Sequence, residues 1–223
     1  MRVTYLRHRY AVLFTSLLLT LIAAPLAAEY QLRTWPIELL LISNLAAAAV
    51  GYDTTHGRHR LLAVVLLSVL LQILGQWLHI GAAATAATAL YVALAVFAAI
   101  AALRFALRGS HVDSERLYAA LSAYLLAGHF FGLVYLKVEQ LRPGSFAIGG
   151  VPVQPKQLDL PTAIYFSFVT LATLGYGDIT PLTPTARGLA VSEAILGQLY
   201  LAVLVARLVS LYAAQERLRE NGD

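Results

Sequence analysis

Apolar residues in this chain come in long uninterrupted blocks, divided by short polar stretches. Six blocks stand out, at about 10–28, 36–52, 60–80, 84–107, 117–138 and 186–213. Each approaches the roughly 20 residues that a helix needs to cross a bilayer. A seventh block, 161–172, is apolar but too short to span. It predicts a re-entrant helix, which tolerates membrane depth only when protein surrounds it. Between blocks five and seven, residues 139–160 hold Pro143-Gly144, Gly149-Gly150, Pro152 and Pro155. These residues favour turns, so the stretch reads as an irregular outer loop.

Composition sharpens this. Of 223 residues, 59% are hydrophobic and 13% charged, whereas soluble domains sit nearer 45–50% apolar and about 25% charged. The chain is therefore read as an integral, multi-pass membrane protein. Cysteine is absent, which excludes disulfides and thiolate–metal sites. A pI near 9.4 would suit a nucleic-acid binder, but the basic residues follow membrane topology better, and no nucleic-acid partner is expected. Arg2, Arg7, Arg9, Arg58, Arg60, Arg104, Arg108, Arg116, Arg207, Arg217 and Arg219 fall on one side of the six blocks. Arg33, Lys137, Arg142, Lys156 and Arg187 fall on the other. The positive-inside rule then puts both termini in the cytoplasm and Gly177 outside. The richness in Ala, Leu and Arg suggests a bacterial inner membrane. Arg2, Arg7 and Arg9 before an apolar run ending Ala24-Pro25-Leu26-Ala27-Ala28 also fit a secretory signal. The run is long for a signal core, and Leu26 is not the small residue expected there, so a retained helix is the preferred reading.

Chemistry concentrates at Thr173-Leu174-Gly175-Tyr176-Gly177-Asp178. Two glycines flanking one aromatic let the backbone run extended with its carbonyls aimed at one axis. Rings of carbonyl oxygens can replace the hydration shell of a potassium ion. The run resembles the potassium-channel selectivity filter, Thr-x-Gly-Tyr-Gly-Asp, with Leu174 where Val is commoner. The resemblance covers about 117–213. It implies that the carbonyls of Thr173, Leu174, Gly175 and Tyr176 coordinate K+, that the Thr173 hydroxyl closes the inner site, and that no other cofactor is needed. Gly177 and Asp178 would complete the outer end, with Asp178 accepting a hydrogen bond from Tyr165. Equally, Tyr165 can be an aromatic of the lipid–water interface.

The short block 161–172, opened by Asp159-Leu160-Pro161-Thr162, resembles the family's pore helix, with Thr170 supporting the filter from behind. Its C-terminal dipole would favour a cation in the central cavity. Ala172 stands where many members carry a second Thr, which bears on blocker sensitivity. In the sixth block Gly197 falls where the family carries a hinge in the inner helix. It can equally be a small residue for close packing. Helical spacing puts Gln198, Leu201, Val205 and Val209 on one stripe, read as cavity lining and gate. His129 and Glu193 are ionisable groups at membrane depth, where such groups usually face the interior with a partner. They can pair with one another. A structural hydrogen bond is preferred over a pH sensor. Gly128 and Gly132 around His129 read as helix packing.

The expected architecture is an all-α membrane protein of six transmembrane helices plus a re-entrant pore helix and filter loop, in a four-fold tetramer. One filter strand per chain cannot enclose an ion. Residues 1–110 would form a four-helix domain of unassigned role, 111–215 the pore domain, and 216–223 a short cytoplasmic tail. The fourth block carries only Arg104 and Arg108, at its inner end, unlike a charged voltage sensor. The function expected is passive, potassium-selective conduction, not steeply voltage-gated. The alternatives are a non-conducting partner-binding subunit, with an unidentified regulatory partner, and a potassium-transporter subunit. No nucleotide loop, metal cluster or triad points to an enzyme. Membrane lipid is the other expected partner.

Overall fold

The computed structural model describes residues 8–30, 44, 63–67, 69–70, 81–107, 113–154 and 157–220. Of the expected span 36–52 only Asn44 is among these residues, and of 60–80 only 63–67 and 69–70, all of them helical. Long helices dominate. Two of them, Ser114–Leu141 and Pro184–Ala213, are long and apolar enough to cross a membrane. The chain divides into two compact units, one of residues 1–108 and 113–127, the other of 109–112 and 128–223.

In the first unit, α1 spans Arg9–Glu29 and α2 spans Gly81–Leu107. Helix α3, Ser114–Leu141, begins here. Asp113 starts α3, accepting from Arg116 N at 2.8 Å, as a short acidic residue at a helix start should. The ring of Tyr10 stacks on Phe105 at 4.7 Å, and the guanidinium groups of Arg9 and Arg116 lie 4.9 and 5.3 Å from the Phe105 ring centre. Tyr10 N donates to Glu115 at 3.1 Å. Buried Asn44 accepts from Ser16 at 2.5 Å and donates to Thr20 at 2.9 Å.

In the second unit, α3 runs on to Leu141 and is followed by β1 (Phe146–Ile148) and β2 (Val151–Pro152). Then come α4 (Leu160–Leu171), β3 (Ile179–Pro181) and α5 (Pro184–Glu220). The loop expected to lack regular structure instead carries a small antiparallel sheet in the order β2-β1-β3. Ala147 pairs with Pro152 on one side and Thr180 on the other. Both prolines sit on edge strands, where a missing N–H costs no ladder bond. Gly149 and Gly150 both have positive φ, 59° and 82°, as a tight two-residue hairpin requires. The buried carboxylate of Glu139, near the end of α3, accepts from Gly144 N at 2.7 Å and Phe146 N at 3.1 Å.

The core of this unit lies where the sheet meets the helices. Phe131, Tyr135, Phe146, Val153, Leu158, Ala163, Phe166, Ile179 and Ala186 form one cluster. The rings of Tyr135, Phe146 and Phe166 meet edge-to-face at 4.9–5.5 Å, a favoured aromatic geometry. Phe146 thereby plugs the sheet into the helix pair beneath it.

Candidate functional site

Helix α4 is built to stop where the filter run begins. Asp159 caps its start, accepting from Thr162 N at 2.9 Å, with Pro161 in the first turn, where proline costs nothing. Its 12 residues span about 18 Å, too short to cross a bilayer. At the far end Ala172 N donates to Phe168 O and Thr173 N to Thr170 O, both at 3.0 Å. The chain then doubles back, and the carbonyl of Val169 accepts from Leu174 N at 2.9 Å and Gly175 N at 3.4 Å. Val169 is thus the hinge-pin that fixes the filter run to the helix behind it.

Along that run the backbone changes hand at alternate residues. Thr173, Gly175 and Gly177 have φ of 56°, 58° and 78°. Leu174 and Tyr176 between them stay on the ordinary side. Glycine takes positive φ freely, but among the described residues Thr173 is the one side-chain-bearing residue held there, a conformation that costs energy and recurs at functional sites. Residues 172–178 are exposed within one chain, with Leu174 56% and Tyr176 65% exposed.

Both ends of the run are tied. Gln198 of α5 donates to the Thr173 hydroxyl at 3.1 Å. Tyr165 donates to Asp178 Oδ2 at 2.8 Å. That hydrogen bond, more than burial or the Asp178 charge, raises the Tyr165 pKa and keeps the phenol a donor. Gly149 N, from the hairpin turn, donates to Asp178 O at 2.8 Å.

Behind this run, α3 and α5 approach α4 through glycine. A Cβ on Gly128 would meet the Phe168 ring at 2.5 Å, and one on Gly132 would meet Ile164 Cα at 2.8 Å. Gly197 faces the Leu171 carbonyl oxygen so closely that a Cβ would overlap it. Helix α5 runs unbroken through Gly197. The stripe Gln198, Leu201, Val205 and Val209 lies open along α5, with Val205 and Val209 57% and 63% exposed.

Glu193 and His129 are both buried, and each is served from the helices around it. The Glu193 carboxyl group is hydrogen-bonded to the hydroxyls of Tyr135 on α3 and Ser167 on α4. His129 meets Phe168 edge-on at 5.6 Å. Sequence reasoning did not single out Tyr135, Ser167, Glu139 or the Gly149 amide. The available signal for Ser167 and Glu139 was a polar side chain facing inward from an apolar helix.

Comparison with known proteins agrees with this geometry. Residues 120–214 match the model of an ion channel family. Two pore potassium channel c of Oryza sativa subsp. japonica is 36% identical over 92 residues, covering 40% of this chain and 19% of that protein. Inward rectifier potassium channel Kirbac3.1 of Paramagnetospirillum magnetotacticum is 38% identical over 84 residues, 36% of this chain and 24% of that one. Protein LctB of Bacillus caldotenax is 29% identical over 96 residues, 43% of this chain and 71% of that one. The chain thus spans about a fifth to a quarter of the length of the first two relatives. No solved structure matches it significantly. Over residues 120–214, which hold most of α3, the sheet, α4, the run at 173–178 and most of α5, the chain is thus similar to an ion channel family and to potassium channels.

Proposed function

We propose that this chain is one subunit of a homotetrameric, potassium-selective channel in the cell membrane, conducting passively through a pore built from residues 111–215. The observation that carries the reading is the alternating backbone hand of Thr173, Leu174, Gly175, Tyr176 and Gly177. In an ordinary strand successive carbonyls point to opposite sides. Regular alternation of right- and left-handed residues instead gathers backbone groups on one side. A ladder of carbonyls on one side can stand in for the water around K+. One chain supplies one ladder, and its wholly exposed state leaves three sides of an ion for other copies to cover.

Two features support the assembly. Val191, Ile195, Leu196, Leu199 and Val203 of α5 are each more than half exposed within one chain. An apolar face of that extent marks lipid or protein contact. The Gln198 stripe carries the amide that binds Thr173, so the same face of α5 lines the inner end of the filter and continues as apolar cavity wall and gate. With the termini cytoplasmic, the sheet and Asp178 form the outer mouth. The helices before α3 serve as scaffold or as receptor for lipid or a regulatory partner.

Purified protein in planar bilayers, with potassium on one side and sodium on the other, tests this. The reversal potential should sit near the potassium equilibrium value. A reversal potential near zero would refute selectivity, and silence under every stimulus would favour a non-conducting subunit.

A further inference from the structure

Glu193 is completely buried within one chain, so a neighbouring copy cannot reach its carboxyl group. Three oxygen–oxygen contacts converge there from three helices. Tyr135 Oη of α3 meets Glu193 Oε2. Ser167 Oγ of α4 lies 2.5 Å from Glu193 Oε1 and 2.7 Å from the Gly128 carbonyl oxygen of α3.

Each contact needs a hydrogen. A hydroxyl has one to give, a carbonyl has none, and an ionised carboxylate has none. Tyr135 and Ser167 together supply two hydrogens for three contacts. The arrangement that satisfies all three places the third on Glu193. Tyr135 then donates to Oε2, Oε1–H donates to Ser167 Oγ, and Ser167 donates to Gly128 O.

Charge leads to the same count. A carboxylate sealed in an apolar interior requires a cation or a set of strong donors. Several charged and titratable groups on the packed helices make their contacts with other residues. On α3, Lys137 donates to Gln140, Glu139 accepts from the Gly144 and Phe146 amides, and the His129 ring meets Phe168. On α4, Tyr165 donates to Asp178. On α5, Arg187 donates to the Pro181 carbonyl.

We propose that Glu193 is held as a neutral carboxylic acid, and that this proton-bearing group is the positioning residue that locks α4 between α3 and α5. The consequence for the filter is short-ranged. Ser167 lies two residues before Val169, whose carbonyl holds the Leu174 and Gly175 amides. A shift of Ser167 toward or away from Gly128 therefore moves the anchor of the filter run. That consequence rests on the channel reading, but the protonation does not.

Infrared spectroscopy of the full chain in lipid vesicles reads the proton directly. The spectrum at neutral pH should contain the carbonyl band of a protonated acid, absent from Glu193→Gln and displaced in Ser167→Ala, which removes its acceptor. Detection of Glu193 only as carboxylate would overturn the proposal. Potassium flux into the same vesicles supplies the second reading. Glu193→Gln keeps both a donor and an acceptor, so flux should stay within about twofold of wild type, whereas Glu193→Leu should lose about tenfold or more, the effect of one stranded buried partner. Equal loss in both variants would show that charge, not hydrogen bonding, is what the site needs, and would overturn the proposal. Should Glu193→Gln fail to accumulate, wild-type protein carrying carbon-13 glutamate gives the protonation state by solid-state magnetic resonance, through the correlation with Ser167. Absence of flux in wild type with the acid band present would instead count against the channel reading alone.

Discussion

Gly197→Ala separates the two readings of the inner-helix glycine. Considered alone, alanine is favoured over glycine in a helix by about 1 kcal/mol. A pure hinge would therefore gain stability and straighten. The structure opposes this gain with a clash. The new Cβ would overlap the Leu171 carbonyl oxygen and lie 3.0 Å from Leu171 Cδ1 and 3.2 Å from Leu171 C. A backbone carbonyl at the end of α4 cannot rotate away as a side-chain tip can, so the helices must part. Overpacking of this kind costs about 1–3 kcal/mol. Gly188 on the same helix is the internal control, because a Cβ there meets nothing within 4 Å of its own chain. Gly188→Ala should gain the helix term without the clash. The helix term is common to both, so the two variants should differ by the clash alone, about 1–3 kcal/mol. Thermal and denaturant unfolding of the purified protein in detergent measures the difference, with open probability in bilayers recorded alongside. If Gly197→Ala proves as stable as Gly188→Ala, the contact argument is wrong and the hinge survives.

Tyr165→Phe removes the donor to Asp178, an exposed charge-assisted bond worth about 1 kcal/mol. Sustained potassium current should decay faster in that variant, with ion preference unchanged; an identical time course would leave Tyr165 as an interface aromatic. Opening should depend weakly on voltage. One charge crossing the field yields about 2.3 kcal/mol per 100 mV, and on α2 Arg104 sits in the last turn. A conductance–voltage curve showing several gating charges, abolished by neutralising Arg104 and Arg108 together, would refute this.

What the sequence disclosed depended on how local the chemistry was. The backbone turn at 173–177 was legible because its conformational demands are written in contiguous residues, two glycines and a threonine, with a helix cap 14 positions before Thr173 at Asp159. Helices α1, α2, α3 and α5 were legible because apolar runs of that length leave few other structures open. The sheet was not. Strands of two and three residues carry no readable period, and β1 meets β3 across the whole of α4. The partners of Glu193 were hidden for the same reason: Tyr135 lies 58 residues away and Ser167 26. Pairing between distant polar groups depends on packing register, which no single segment encodes. His129 had been a natural companion for Glu193 by depth alone. In the folded chain the hydroxyls of Tyr135 and Ser167 meet that carboxyl group.

The filter run is strung between two supports that belong to its own chain. Upstream, the Val169 carbonyl holds its start; downstream, Asp178 O is bound by Gly149 N, and β3 is laddered to β1. This has a consequence for the order of biogenesis. Fixing the backbone costs about 1–2 kcal/mol per residue in lost freedom. Here residues 172–178 meet that cost during folding of each chain, through contacts inside it. Copies that come together would then meet as preshaped surfaces, and their association would be a docking step with little ordering left to do. A lesion in the turn at Gly149 would act early, by delivering floppy subunits to assembly, and its signature would be slow or incomplete oligomer formation, with ion preference unaltered in the complexes that do form.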